Sequence, residues 1–319
     1  MKESGNGSAL AARRCYSPGE IHFHAPGLKH YETAEFVQRN RREFVAISLT
    51  GASCALRCEH CQGRMLESMY SVPGNGGLYD LCQRLAANGT HGVLVSGGSD
   101  RRGRVPHAAF AADLRRVKER LGFKILVHTG LVDRPMAEAL AAARVDGAMI
   151  DVIGSDETIR RVYHLDASVR DFERSLALLE EYGIPSLPHI VMGLHYGAFR
   201  GEDAALEIVA AHRVTGLVLV TLVPLAGTPM QHIPPPETAT LTRFVEKARG
   251  RLPDKPLLLG CARPSGEAKA ALDRAAIDVG LNGIAFPAER TVAYARSKGL
   301  KPVFHEACCG LGWLLGNGG

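Results

Sequence analysis

The residues best suited to chemistry stand in one short stretch, GASCALRCEHC, where Cys54, Cys58 and Cys61 follow the spacing CxxxCxxC. Three thiolates on one loop can hold three irons of a 4Fe–4S cube and leave the fourth iron open to another ligand. Zinc is the competing reading, but zinc usually closes its shell with four ligands. His60 could supply the fourth, although its place next to Cys61 makes the geometry awkward. Three inert core thiols would suit a less polar loop.

Eight cysteines occur in all. Cys82, in the helical stretch LYDLCQRLAANG, reads as a small buried hydrophobe. Cys15, Cys261, Cys308 and Cys309 remain. Cys261 ends the apolar run LLLGC, and Cys308–Cys309 is a vicinal pair near the C-terminus. Four thiolates are what a second, fully protein-ligated 4Fe–4S cluster needs.

The elements that must position these residues alternate regularly. Short apolar runs occur at 44–50, 92–96, 123–128, 147–153, 187–193, 217–223, 256–261 and 282–286. Runs of this length with continuous apolar character are strands buried on both faces. Helical periodicity lies between them, as at 109–120, 175–182, 203–213 and 238–249. Eight strand–helix units predict a parallel (β/α)8 TIM-type barrel over residues 44–297, with a doubly wound open sheet as the alternative. Residues 1–43, with His22, His24 and His30, are expected to cap one barrel end and to shape its mouth. Residues 298–319 are expected as a tail carrying Cys308 and Cys309. Function then belongs at the C-terminal ends of the strands, where the triplet falls.

Composition sets the outer bounds. A 46% hydrophobic and 22% charged chain of 319 residues excludes a disordered polymer and can bury a large core without staples. A net charge of +5 does not indicate nucleic acid but suits an acidic protein partner. No membrane-length apolar run and no secretory apolar segment are present, which points to the cytoplasm and to free rather than disulfide-bonded thiols.

The triplet directly after the first barrel strand resembles the defining loop of the radical S-adenosylmethionine superfamily. That resemblance implies Cys54, Cys58 and Cys61 as cluster ligands, with S-adenosylmethionine on the open iron and a 5′-deoxyadenosyl radical as the oxidant. His60 stands where many members carry an aromatic residue. Ser96-Gly97-Gly98 is similar to the family's Gly-Gly-Glu segment, which holds the methionine moiety; here Ser99 displaces the acidic residue. Asp151 is placed to accept ribose hydroxyls, and Gly193, in HIVMGL, to lie near adenine.

Further segments resemble biotin synthase and its relatives. Arg263, in GCARP, falls where biotin synthase has an arginine ligand to its auxiliary cluster. The resemblance gives it a catalytic part, as a hydrogen-bond donor to a cluster held by Cys15, Cys261, Cys308 and Cys309 or as an occasional ligand. YSPGEIHFHAPGLKHYET, GLNGIAFP and the terminal pair look like the biotin synthase-like proteins of the two-protein lipoyl synthase. This implies sulfur insertion from the auxiliary cluster into an octanoyl chain on a carrier domain, at C8. It also implies a second radical S-adenosylmethionine component and a ferredoxin- or flavodoxin-type electron donor as partners. A biotin synthase-type insertion, a carbon-skeleton rearrangement, and a non-enzymatic iron–sulfur scaffold or sensor are the alternatives.

Overall fold

The computed structural model describes residues 16–73 and 77–311. The strands expected from the apolar runs form as β2 (Phe44–Ser48), β4 (Gly92–Ser96), β5 (Lys124–His128), β6 (Gly147–Asp151), β7 (Ser186–Met192), β8 (Leu217–Thr221), β9 (Leu257–Leu259) and β10 (Gly283–Ala285). Three more join them: β1 (Glu20–His24), β3 (Tyr70–Ser71) and β11 (Lys301–His305). All pair in parallel, in the order β11-β1-β10-β9-β8-β7-β6-β5-β4-β2-β3. The edges β11 and β3 do not pair with each other, so the (β/α) barrel stays open along one side.

The connecting helices are α1 (Leu78–Ala86), α2 (Ala111–Leu121), α3 (Arg134–Ala143), α4 (Asp156–Tyr163), α5 (Val169–Glu181), α6 (Glu202–Ala211), α7 (Thr238–Arg251), α8 (Gly266–Val279) and α9 (Thr291–Ser297). Their apolar stripes cover the outside of the sheet; α2 buries Leu114 and Val117, and α1 buries Cys82 with Leu78, Leu81 and Leu85. Local signals fix the starts. Asp133 accepts from the Met136 amide at α3, and Ser168 with Asp171 forms a capping box at α5.

The N-terminal segment differs from the expected cap, since Glu20–His24 is a strand between β10 and β11. Ile21 and Phe23 are wholly buried and alternate with buried His22 and His24, so imidazoles interrupt what would otherwise read as an apolar run. Likewise the expected tail begins with β11, whose Pro302 is tolerated at a sheet edge. The chain then turns inward, and Cys308, Cys309, Gly310 and Leu311 are all buried. A Cβ on Gly310 would stand 2.9 Å from Leu126 and 3.3 Å from Met149, so the tail lies against the inner face of β5 and β6.

Candidate radical-cofactor site

The loop after β2 is shaped by its backbone. Arg57, Gln62 and Gly63 all adopt positive φ, and the turns they make bring Cys58 and Cys61 together. Amides of Cys61 and Gln62 both donate to the Cys58 carbonyl, and the Gln62 side chain donates to the carbonyls of Arg57 (2.6 Å) and Cys58 (3.1 Å). The loop is held from two sides. Ala55 donates to the Ser99 carbonyl beyond β4, and Glu59 donates to the Val162 carbonyl of α4. His164 then bridges the Leu56 carbonyl and the Glu59 carboxylate, at 3.1 and 2.9 Å.

The thiols behave as a coupled set. The sulfurs of Cys58 and Cys61 and a nitrogen of His60 all lie within 4.8 Å of one another. The hydrogen bond from Cys58 pulls the Cys61 thiol down to about 4, with burial opposing and His60 assisting. The same bond, reinforced by burial, drives Cys58 up. Cys54 stands beside them, close enough for its charge to act on Cys58, with its sulfur 4.0 Å from the Ser99 carbonyl oxygen.

Two glycines make room for this loop. A Cβ on Gly98 would fall 1.9 Å from the Ser53 oxygen and 2.6 Å from the Cys54 Cα. Only glycine permits that approach. The Gly98 amide donates to Thr50 Oγ1 at 2.7 Å, and Thr50 donates to Ser53. Gly97 packs against Leu49 and Val105, and Ser96 accepts the Leu49 amide. A cleft of about 430 Å³ opens outside the loop, among Ser53, Ala55, Gly98, Ser99, Pro106 and Met136. Two adjacent thiols, a third beside them and a backbone cradle that a Cβ would fill are a donor set that fits an iron–sulfur cube with one open iron.

Strand register sets the remaining groups. His128 pairs with Met149 and Asp151 pairs with His189, which puts these side chains on the inner face with Leu126. His128 Nε2 lies 3.6 Å from Asp151 Oδ1, and Tyr163 donates to Asp151 Oδ2 at 3.3 Å. One ligand-type atom from each of His128, Asp151 and His189 falls within 4.8 Å of the others. Although burial opposes it, the Asp151 carboxyl is held well below its ordinary range by His128, His189 and His60. Burial also opposes charging of His128, yet Asp151 raises it; His189 is pushed down to about 4 by burial. This group is in electrostatic reach of Cys61 through His60 and Asp151, and of Cys308 through His128. His128, His189 and Tyr163 were not singled out from the sequence. Their signal, inward polar positions at strand ends, depends on register.

Cys261, Cys308 and Cys309 are near neighbours: Cys261 feels the charge of Cys308, and Cys309 feels both. Cys261 is open to solvent at the barrel mouth while Cys308 and Cys309 are buried. Cys15 lies outside the described residues. Arg263 is committed elsewhere. Its side chain is wholly buried against Asp273 at 3.0 Å, and it donates to the carbonyls of Gly260, Ala285 (2.6 Å) and Phe286 (3.1 Å). Its bond to the Gly260 carbonyl holds the residue before Cys261, and its guanidinium nitrogens are all taken up by these partners. Gly193 ends β7 with φ 77°, where Pro236 leaves no room for a Cβ, and its amide donates to buried Glu202 at 2.8 Å.

Comparison with known proteins agrees with this arrangement. Residues 48–203 match the family model described as the Radical SAM superfamily. A biotin synthase of Synechococcus sp. (strain JA-3-3Ab) is 28% identical over 164 residues, 50% of this chain and 52% of that protein. The chain thus spans about half the length of the curated relative it matches. Among solved structures, methylornithine synthase (PylB) superposes with a TM-score of 0.58 at 15% identity, covering 92% of this chain and 86% of that one. The FeFe-hydrogenase maturase HydG from Carboxydothermus hydrogenoformans gives 0.56 at 15%, covering 92% and 70%. At such identities the likeness is one of fold.

Proposed function

We propose, from the premise that this is a radical S-adenosylmethionine enzyme of the biotin synthase-like kind, that it inserts sulfur at C8 of an octanoyl chain borne on a carrier-protein lysine. The observation that supports this reading is the second gathering of thiols, Cys261 with Cys308 and Cys309, separate from Cys54, Cys58 and Cys61. A 4Fe–4S cluster with S-adenosylmethionine supplies one-electron chemistry that can open an alkyl C–H bond, which no acid or base can do.

In this reading Cys54, Cys58 and Cys61 hold that cluster, and the main chain at Gly97 and Gly98 lets the amino-acid part of the cofactor approach. Asp151, kept ionised by its three imidazoles, accepts from ribose hydroxyls. Cys261, Cys308 and Cys309 hold the sulfur-bearing second cluster, and Arg263 orients the first of them. Val191 and Val220 face inward on β7 and β8 and give an alkyl chain an apolar surface. The carrier domain, a second radical S-adenosylmethionine component and a ferredoxin- or flavodoxin-type donor complete the system.

The test is anaerobic reconstitution, reduction, and incubation with S-adenosylmethionine and an octanoylated carrier domain, followed by mass spectrometry of the carrier. A gain of sulfur supports the proposal. Cofactor cleavage without sulfur gain favours a carbon-skeleton rearrangement, a reading that the imidazole-rich space around Asp151 would suit through a more polar substrate. Absence of cleavage in the reduced protein favours an iron–sulfur scaffold or sensor.

A further inference from the structure

Three neighbouring strands bring together one group of polar side chains that their own hydrogen bonds do not close. β5, β6 and β7 run side by side, with His128 opposite Met149 and His189 opposite Asp151. Residues opposite one another in a sheet, and residues two apart on a strand, share a face. His128, Asp151 and His189 therefore point the same way, near the C-terminal ends of their strands, where barrels carry their ligand sites. One ligand-type atom from each lies within 4.8 Å of the other two, and the two imidazole rings stand 5.7 Å apart.

The contacts inside the group fit a shared ion better than a hydrogen bond. Asp151 Oδ2 accepts from Tyr163 at 3.3 Å, while Oδ1 faces His128 Nε2 at 3.6 Å. That second separation is too long for a hydrogen bond. It is close to the roughly 3.4 Å between two ligands that each stand about 2.1 Å from one ion in a tetrahedral shell. His189 is 8% exposed, and its Nδ1 is buried without a hydrogen-bond partner. Among the described residues His128 is the one ionic partner of Asp151. The other titratable groups that act on the cluster are His60, Tyr163 and the thiol of Cys308, none of which carries a fixed positive charge. An unmet imidazole nitrogen and a carboxylate without a fixed cation are two costs that one bound cation removes.

We infer that His128, Asp151 and His189 form a mononuclear site for a divalent first-row transition metal, separate from both sets of cysteines. Two imidazoles and one carboxylate suit iron(II), cobalt(II) or zinc(II) better than magnesium or calcium, which prefer oxygen donors throughout. Three protein ligands leave coordination positions open to an oxygen or nitrogen donor of a bound molecule. Asp151 Oδ1 serves the ion, and Oδ2 keeps a lone pair for a hydroxyl besides that of Tyr163. The site does not depend on sulfur insertion.

Cobalt(II) is the probe, because its X-ray absorption edge is read separately from that of iron. The protein is reconstituted anaerobically, incubated with cobalt(II), desalted, and analysed for both metals. The expected result is about one cobalt per chain with iron unchanged, and nitrogen or oxygen scatterers at about 2.0–2.2 Å. Asp151→Asn keeps the side chain's shape and removes its charge. That variant and His189→Gln should each weaken cobalt binding in equilibrium dialysis by about tenfold or more. Far-ultraviolet circular dichroism checks the fold of both, and Asp151→Asn decides the matter if His189→Gln unfolds. Wild-type protein that retains no cobalt overturns the site, as does a sulfur shell at about 2.3 Å, which marks capture by the cysteines. Cobalt held by the folded variants at wild-type affinity overturns it too. Because binding is read without turnover, absence of sulfur insertion would sink the proposed function and leave this result standing.

Discussion

Arg263 and Asp273 pair at 3.0 Å with both side chains fully buried, tying the loop after β9 to α8 and, through the carbonyls of Ala285 and Phe286, to the end of β10. Removing one partner strands a charge in the interior. Arg263→Met or Asp273→Leu should each cost about 3–5 kcal/mol, and the double substitution should cost less than the two summed. Urea denaturation of the three variants measures this. Additive losses would show that the two groups act independently.

Metal content should follow the division of the cysteines. Anaerobic reconstitution is expected to load about eight irons, and replacing Cys54, Cys58 and Cys61 by Ala should leave about four. Iron and sulfide analysis decides it. Loss of all iron from the triple variant would remove the second cluster from the proposal.

Gly98→Ala tests the close approach of β4's end to the cysteine loop. The added Cβ meets backbone atoms of Ser53 and Cys54, which no side-chain rotation relieves. The loop must shift, so the variant should lose the about four irons of that loop while keeping the other set. Far-ultraviolet circular dichroism should remain native. Full iron loading would mean that the loop tolerates the displacement.

Acid should destabilise the protein through its buried imidazoles. Burial pushes His107 and His189 down to about 4, so each stays neutral when folded and protonates near 6.5 when unfolded. The unfolded state therefore binds more protons below pH 6.5. The stability each neutral ring contributes is complete above that value and is lost as pH falls toward about 4. Each adds a slope of about 1.4 kcal/mol per pH unit in that window. His128, which Asp151 raises against burial, works in the opposite sense and loses its contribution as pH rises. His107 lies outside the cysteine sets and bonds the His128 carbonyl at 3.0 Å. Denaturation of His107→Gln at pH 6 and pH 5 should show a slope shallower by about one proton's worth; an unchanged slope would mean that His107 titrates normally.

The strands legible in the sequence are those apolar at nearly every position, such as FVAIS in β2 and LVLVT in β8, because both faces are covered. The triplet was legible because its three cysteines are local in sequence. β1 was not, since EIHFH places imidazoles inward, and β11 was not, since KPVFH carries a proline and half-exposed positions. The gathering of His128, Asp151 and His189 arises from the register of three strands, which no spacing within one segment encodes. Arg263 was recognised as special, yet its partner Asp273 sits in a helix with nothing nearby to mark it.

The place of β1 has a consequence for the order in which the molecule matures. His22 bonds His305 across 283 residues of sequence, and β1 pairs only with β10 and β11. On a ribosome, β1 must wait for β10 and β11. The loop of Cys54, Cys58 and Cys61, with the β4 and α4 segments that grip it, is complete when little more than half of the chain exists. Cys308 and Cys309 arrive only with the closing strand. The two sets of thiols are therefore born at different times, and the first can be filled while the second is still unmade.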